Sequence, residues 1–128
     1  MITGIVTDNR EAVVSLTVSG PNGHQETIHA VIDTGFDGWL SLPPPTIAIL
    51  GLSWSRRGRA QLADGSTTIF DIFDGSLLWD GAIRRIPVDE ADTAPLLGMA
   101  LLEDFELTMQ VRAGGKVRLK RLPKRSRS

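Results

Sequence analysis

The sequence predicts an all-β domain, a closed barrel-like sheet carrying one or two short helices. Three observations predict it. Apolar residues alternate with polar ones at the period of a half-buried strand, as in Val14, Leu16 and Val18 against Ser15 and Thr17. Turn signals recur at short spacing, among them Gly20-Pro21-Asn22-Gly23, Ala63-Asp64-Gly65-Ser66 and Asp80-Gly81. The helical segments that can be read are only one or two turns long. Short strands punctuated this often favour a barrel over a layered α/β domain.

The elements follow in order. After the Gly20-Pro21-Asn22-Gly23 turn, residues 24–32 return as a second strand with Ile28, Ala30 and Ile32 on one face. That strand delivers Asp33 into a tight Thr34-Gly35 turn. Residues 36–42 read as another strand, broken by Pro43-Pro44-Pro45. Residues 46–50 read as a short helix, because proline suits a helix start and Gly51 suits its end. Two hairpins occupy residues 60–88, one turning at Ala63-Asp64-Gly65-Ser66 and one at Asp80-Gly81, with residues 69–73 strand-like between them. Residues 99–103 read as a short helix after Gly98. Residues 105–111 pair with 116–119 across Ala113-Gly114-Gly115. Residues 1–119 form one domain, and 120–128 are expected to be a basic C-terminal tail.

Composition removes several classes of function. The chain has 128 residues, enough for one domain, and its 41% hydrophobic share supports a packed core. No apolar run approaches the roughly 18 residues of a membrane span. The start, Met1-Ile2-Thr3-Gly4, lacks a basic region and a long apolar stretch, so no secretory signal is expected and the expected location is cytoplasmic. With no cysteine, thiol nucleophiles and zinc–thiolate sites are absent. Only His24 and His29 supply imidazole, which argues against a histidine-rich metal site and a Ser-His-Asp hydrolase.

The net charge of −1 is unevenly spread: residues 116–128 hold seven basic residues and no acid, while the remainder holds seven basic and fifteen acidic residues. The basic end reads as a solvated terminus, or as a surface for an acidic partner. Weak nucleic-acid binding is a further reading, but no aromatic residue is interleaved with its charges, which argues against a stacking platform for single strands and makes a nucleic-acid partner the lesser expectation.

Two motifs carry the chemistry. Asp33-Thr34-Gly35 closes the apolar run Ala30-Val31-Ile32 and is followed by Phe36-Asp37-Gly38. An Asp-Thr-Gly triplet alone is weak, and its ordinary reading is a turn whose carboxylate holds nearby amides. Here it ends an apolar strand, and Gly35 permits close backbone approach. About sixty residues later, Pro95-Leu96-Leu97-Gly98 leads into Met99-Ala100-Leu101-Leu102. The pair, in this order, resembles the retropepsin-like aspartic proteases over most of the chain, in particular the small bacterial single-domain type. The viral members place a small residue where Phe36 stands, so Phe36 either walls the site or fills core.

The resemblance implies a role for each matching residue. Asp33 would be the catalytic carboxylate. Thr34 would bond across a dimer axis, and Gly35 would let backbone pass close to substrate. Phe36 would stand against the substrate. Ala63, Asp64, Gly65 and Ser66 would form the tip of a flap closing over it. Leu96, Leu97 and Gly98 would support the site from beneath. Phe36, Trp39, Ile69 and Leu96 are candidate subsite walls.

The chemistry requires two carboxylates, and the chain has one Asp-Thr-Gly; Asp92-Thr93-Ala94 comes nearest and does not follow an apolar strand. The resemblance therefore implies a homodimer with the site shared across its twofold axis, and an extended polypeptide as substrate. It implies no metal and no organic cofactor, because water is the nucleophile. Asp37 is expected to be a loop residue bonding backbone amides, and Trp54 and Trp79 partial core or rim. Residues 2–6 and 117–119 are candidate strands for interlocking two subunits. The alternative function is a non-catalytic dimeric module of the same fold that holds a peptide or protein.

Overall fold

The computed structural model describes residues 1–125. In chain order the elements are β1 (Ile2–Val6), β2 (Ala12–Ser19), β3 (Gln25–Ile32), β4 (Leu40–Leu42), α1 (Pro44–Leu50), β5 (Ser53–Gln61), β6 (Thr67–Trp79), β7 (Ala82–Glu90), β8 (Leu96–Leu97), α2 (Met99–Leu102), β9 (Phe105–Met109) and β10 (Lys116–Arg121). All ten strands join one sheet, in the order β5-β6-β7-β4-β8-β3-β2-β1-β10-β9, and a further pairing of β6 with β2 closes its centre into a ring. Closure removes free edges from the strands of the ring, while β5 and β9, each bonded to one neighbour, remain edge strands.

Alternation builds the core. Ala12, Val14, Leu16 and Val18 of β2 are buried, as are Ile28, Ala30 and Ile32 of β3. They meet Leu77 and Trp79 of β6, Ile86 and Val88 of β7, and Val117 and Leu119 of β10 in one cluster. Trp79 is 1% exposed, deeper than a partial-core position, and packs edge-on against Phe105 at 5.4 Å. Trp54 is 56% exposed, and its indole N–H donates to Asp71.

Local chemistry sets the turns. The β6–β7 hairpin closes through Asp80 and Gly81, both at positive φ, with Trp79 opposite Ala82. That pattern matches the right-handed twist of the strands it joins. Helix α1 begins at Pro44, earlier than expected, because a proline has no N–H to lose in a first turn. It ends at Gly51 in the left-handed conformation.

Two expectations require correction, and the terminal strands are paired within the chain. Only residues 40–42 of the expected 36–42 strand are β. Residues 36–39 bend instead, because their carbonyls face the start of α2. The two terminal strands do not lie at free edges: β1 is bonded to β2 and β10, and β10 to β1 and β9, within one chain. In β1 only Ile5 and Val6 pair with β2, so residues 2–4 are bonded on the β10 side alone. Finally, β10 runs to Arg121, so Lys120 and Arg121 belong to the sheet and not to the tail. Each has a β9 partner, Glu106 and Phe105 respectively, and the Arg121 guanidinium lies 4.8 Å over the Phe105 ring. Tail residues 126–128 lie outside the described residues.

Candidate active site

The two motifs meet through backbone. The amide of Val31 donates to Pro95 and that of Asp33 to Leu97, each at 2.9 Å. In return Gly98 donates to Trp39, Met99 to Phe36 and Ala100 to Gly38, at 2.8 to 3.0 Å. The first amides of α2 thus find acceptors in the loop that follows Asp33, which meets the usual need of a helix start. Leu97 is fully buried behind this junction. The arrangement fixes the position of Asp33 from both sides.

The turn itself is closed by Asp33. Its Oδ1 accepts the Gly35 N–H at 2.9 Å, and its carbonyl accepts the Phe36 N–H at 3.1 Å. Thr34 and Gly35 are exposed. Phe36 lies across Gly38 and Gly98, at both of which an added Cβ would strike its ring. Half-buried and outside the core cluster, it covers these two glycines and lines the cleft beside Asp33.

Asp33 opens on a cleft of about 900 Å³. One side is built by Asp33, Gly35, Phe36 and Leu96, the other by the β5–β6 hairpin through Arg59, Gln61 and Phe70 among others. Ile69 also lines it, although it is 61% exposed. The sequence-predicted turn of Ala63, Asp64, Gly65 and Ser66 lies beyond the lining, which reaches only Gln61 and Thr68. Asp64 organises that turn: its Oδ1 accepts both the amide and the hydroxyl of Ser66. Those bonds, the hydroxyl first, hold its carboxyl below the usual range. Gly65, at φ 87°, completes the tip.

Trp39 is not in the cleft. It stands in the bend before β4, where strand alternation has not begun, and the Arg84 guanidinium sits 5.1 Å over its ring. Asp37 is exposed in the cleft wall, where it was expected to hold amides.

Residues outside the motifs also contribute. Asp89, Glu90 and Asp92 line the cleft with Asp33 and Asp37. Burial pushes the Asp89 carboxyl up; Arg56 partly offsets this and Asp37 adds to it. A raised carboxyl favours the protonated folded form, so its relative contribution to stability is fully present below the unfolded value near 3.8 and is lost as pH rises through the folded one. Asp89→Asn is therefore expected to raise the melting temperature at neutral pH and to leave it unchanged in strong acid, as calorimetry at both pH values would measure. Ser41 is the other addition: it is 4% exposed, lines the cleft, and its hydroxyl has no hydrogen-bond partner among the described residues. Polar residues on β7 and mid-β4 carry no motif, and only the register Ser41↔Asp89 and Ser41↔Leu96 brings them to the cleft.

A comparison of folds decides what this architecture is. A retropepsin-like aspartic protease from Rickettsia conorii superposes with a TM-score of 0.54 over 93% of this chain and 89% of its own, at 16% identity. The chain has a retropepsin-like fold. Identity this low carries the fold and nothing finer. No protein-family model matches the chain, and no curated protein matches it in sequence. Among the described residues, no helix is long and apolar enough to cross a membrane.

Proposed function

We propose that the chain is one protomer of a homodimeric aspartic endopeptidase. The observation that carries this reading is the setting of Asp33. It ends β3 in a retropepsin-like fold, its amide is bonded to Leu97, and its carboxylate opens on a cleft walled by a β hairpin. Two Asp33 carboxylates, brought together by a twofold axis, would hold a water between them. Two such groups close together cannot both ionise easily, so the pair retains one proton. The ionised member takes a proton from the water as it attacks the scissile carbonyl. The protonated member donates to the carbonyl oxygen as charge develops there.

Other residues serve this pair. Thr34 and Gly35, exposed at the turn, are the surface on which the two protomers would meet. Leu96, Leu97 and Gly98 hold the loop by the backbone bonds described above. The β5–β6 hairpin, tipped by residues 63–66, would close over an extended peptide, with Phe36, Ile69 and Leu96 as apolar walls. No metal or organic group enters these steps.

The test is cleavage of a diverse peptide library from acidic to neutral pH, by native protein and by Asp33→Asn, with both checked for dimer by sedimentation. Cleavage by the native dimer alone is expected. A folded native dimer that cleaves nothing would overturn the reading in favour of a peptide-holding module. A second prediction concerns concentration. Because one protomer supplies one carboxylate, specific activity should fall on dilution in step with the dimer fraction seen by sedimentation. Activity independent of dilution through dissociation would contradict a shared site.

A further inference from the structure

The cleft's charge is out of balance. Asp33, Asp37, Asp89, Glu90 and Asp92 line it, against the single basic residue Arg59 on the hairpin side. Among the described residues, the ion pairs formed engage Glu26, Asp71, Asp74 and Asp80, and none engages a cleft carboxylate. Arg56 acts on Asp89 through its field, as Asp37 does with opposite sign, yet Arg56 is exposed and outside the lining. A carboxylate half-withdrawn from water beside a second one is costly unless a cation joins it.

A second observation is independent of charge. The Ser41 hydroxyl is withdrawn from solvent without a partner among the described residues, which costs free energy in a folded protein unless something meets it. Its register places it beside Asp89 on one side and Leu96 on the other, both in the cleft wall. A hydroxyl there can accept from a cationic N–H. Among the described residues, no three acidic groups lie close enough to hold a metal ion, so the wall suits an organic cation on a flexible stem.

We propose that Asp37, Asp89 and the Ser41 hydroxyl, with Glu90 and Asp92 at the rim, form a subsite for a basic side chain of the bound peptide, lysine or arginine. This rests on the reading of the cleft as a peptide site. Leu96 and Phe36 would take the aliphatic stem, as apolar surface commonly does for long cationic side chains. The charged head would meet the carboxylates of Asp37 and Asp89. The protein would then select peptides with a basic residue at one fixed distance from the scissile bond. The otherwise apolar walls alone would not discriminate on charge.

The test measures peptide binding to the Asp33→Asn dimer, which keeps the cleft and removes turnover. The probes are labelled decapeptides of alanine and leucine with one arginine moved along the sequence. Each is paired with its citrulline counterpart, equal in shape and uncharged. At one register the arginine peptide should bind about tenfold more tightly than citrulline. The ratio should fall toward one with Asp89→Asn, with Asp37→Asn and in high salt. Asp37 and Asp92 are exposed, so Asp37→Asn and Asp92→Asn report on the subsite without the change in stability expected of Asp89→Asn.

Equal binding of arginine and citrulline at every register, including no binding of either, would overturn the subsite. So would a preference that survives both Asp37→Asn and Asp89→Asn. The assay separates this inference from the peptidase reading. A native dimer that prefers arginine peptides but cleaves none supports the subsite and overturns the enzyme. One that cleaves without charge preference does the reverse.

Discussion

Replacing Asp33 by asparagine is expected to lower kcat/KM by about 10⁴-fold, with the fold and the dimer retained. The size follows from what is lost. Asparagine can neither accept a proton from the water nor share one with its partner carboxylate. The retention follows from geometry. Asp33 Oδ1 is used structurally only to accept the Gly35 N–H, and an amide oxygen accepts that bond equally well. The melting temperature should therefore stay within a few degrees of native. Peptidase assays alongside thermal unfolding check both halves. A large loss of stability would show that the carboxylate is holding the turn and not acting in chemistry. Undiminished cleavage would show that another group carries the reaction.

The second large effect is structural. Gly98→Ala should destabilise the protein by about 3 kcal/mol or more and lower the melting temperature by roughly 10 °C. A methyl group at Gly98 would collide with the Gly38 carbonyl oxygen and the Phe36 ring. Neither can retreat cheaply. The Gly38 carbonyl accepts the Ala100 amide, and Phe36 is held against Asp33 and Met99 through its own backbone. Gly23→Ala is the control. It has open space around it and a φ of 79°, so it carries only the conformational cost, about 1 kcal/mol. Equal losses in the two variants, measured by denaturant unfolding, would mean that crowding at Gly98 contributes nothing.

What the sequence made legible was local. Asp80-Gly81 demanded a two-residue hairpin, the proline run and Gly51 announced a helix whose start was read two residues late, and alternation in residues 14–18 announced a strand. The Asp33 turn was legible because an apolar strand ended on a carboxylate with glycine two positions on. The partnership of that turn with Leu96, Leu97 and Gly98 entered through family resemblance. Two residues of strand cannot declare a parallel neighbour about sixty positions away. The same limit explains the misses. Trp39 reads as a subsite wall until the loop is seen bending to meet α2. The in-chain pairing of β1 with β10, about 115 positions apart, carries no local signal either. Ser41 and Asp89 carry no signal in themselves, and their importance lies in a register between β4 and β7 that only the closed ring defines.

That limit also shapes the dimer question. In the proposed dimer the exposed Thr34-Gly35 turn, beside the cleft, is where the two protomers would meet. A shared site there makes each protomer answerable for half of the chemistry.

The central claim is that each protomer supplies one Asp33 to a common site. Mixing native chains with Asp33→Asn chains, under conditions where dimers exchange, tests it most directly. If both carboxylates are needed, mixed dimers are inactive and activity follows the square of the native fraction. An equal mixture should then retain roughly a quarter of the activity of the same total number of native chains. Activity in simple proportion to the native fraction, about one half in that mixture, would contradict the account and assign each protomer a complete site of its own.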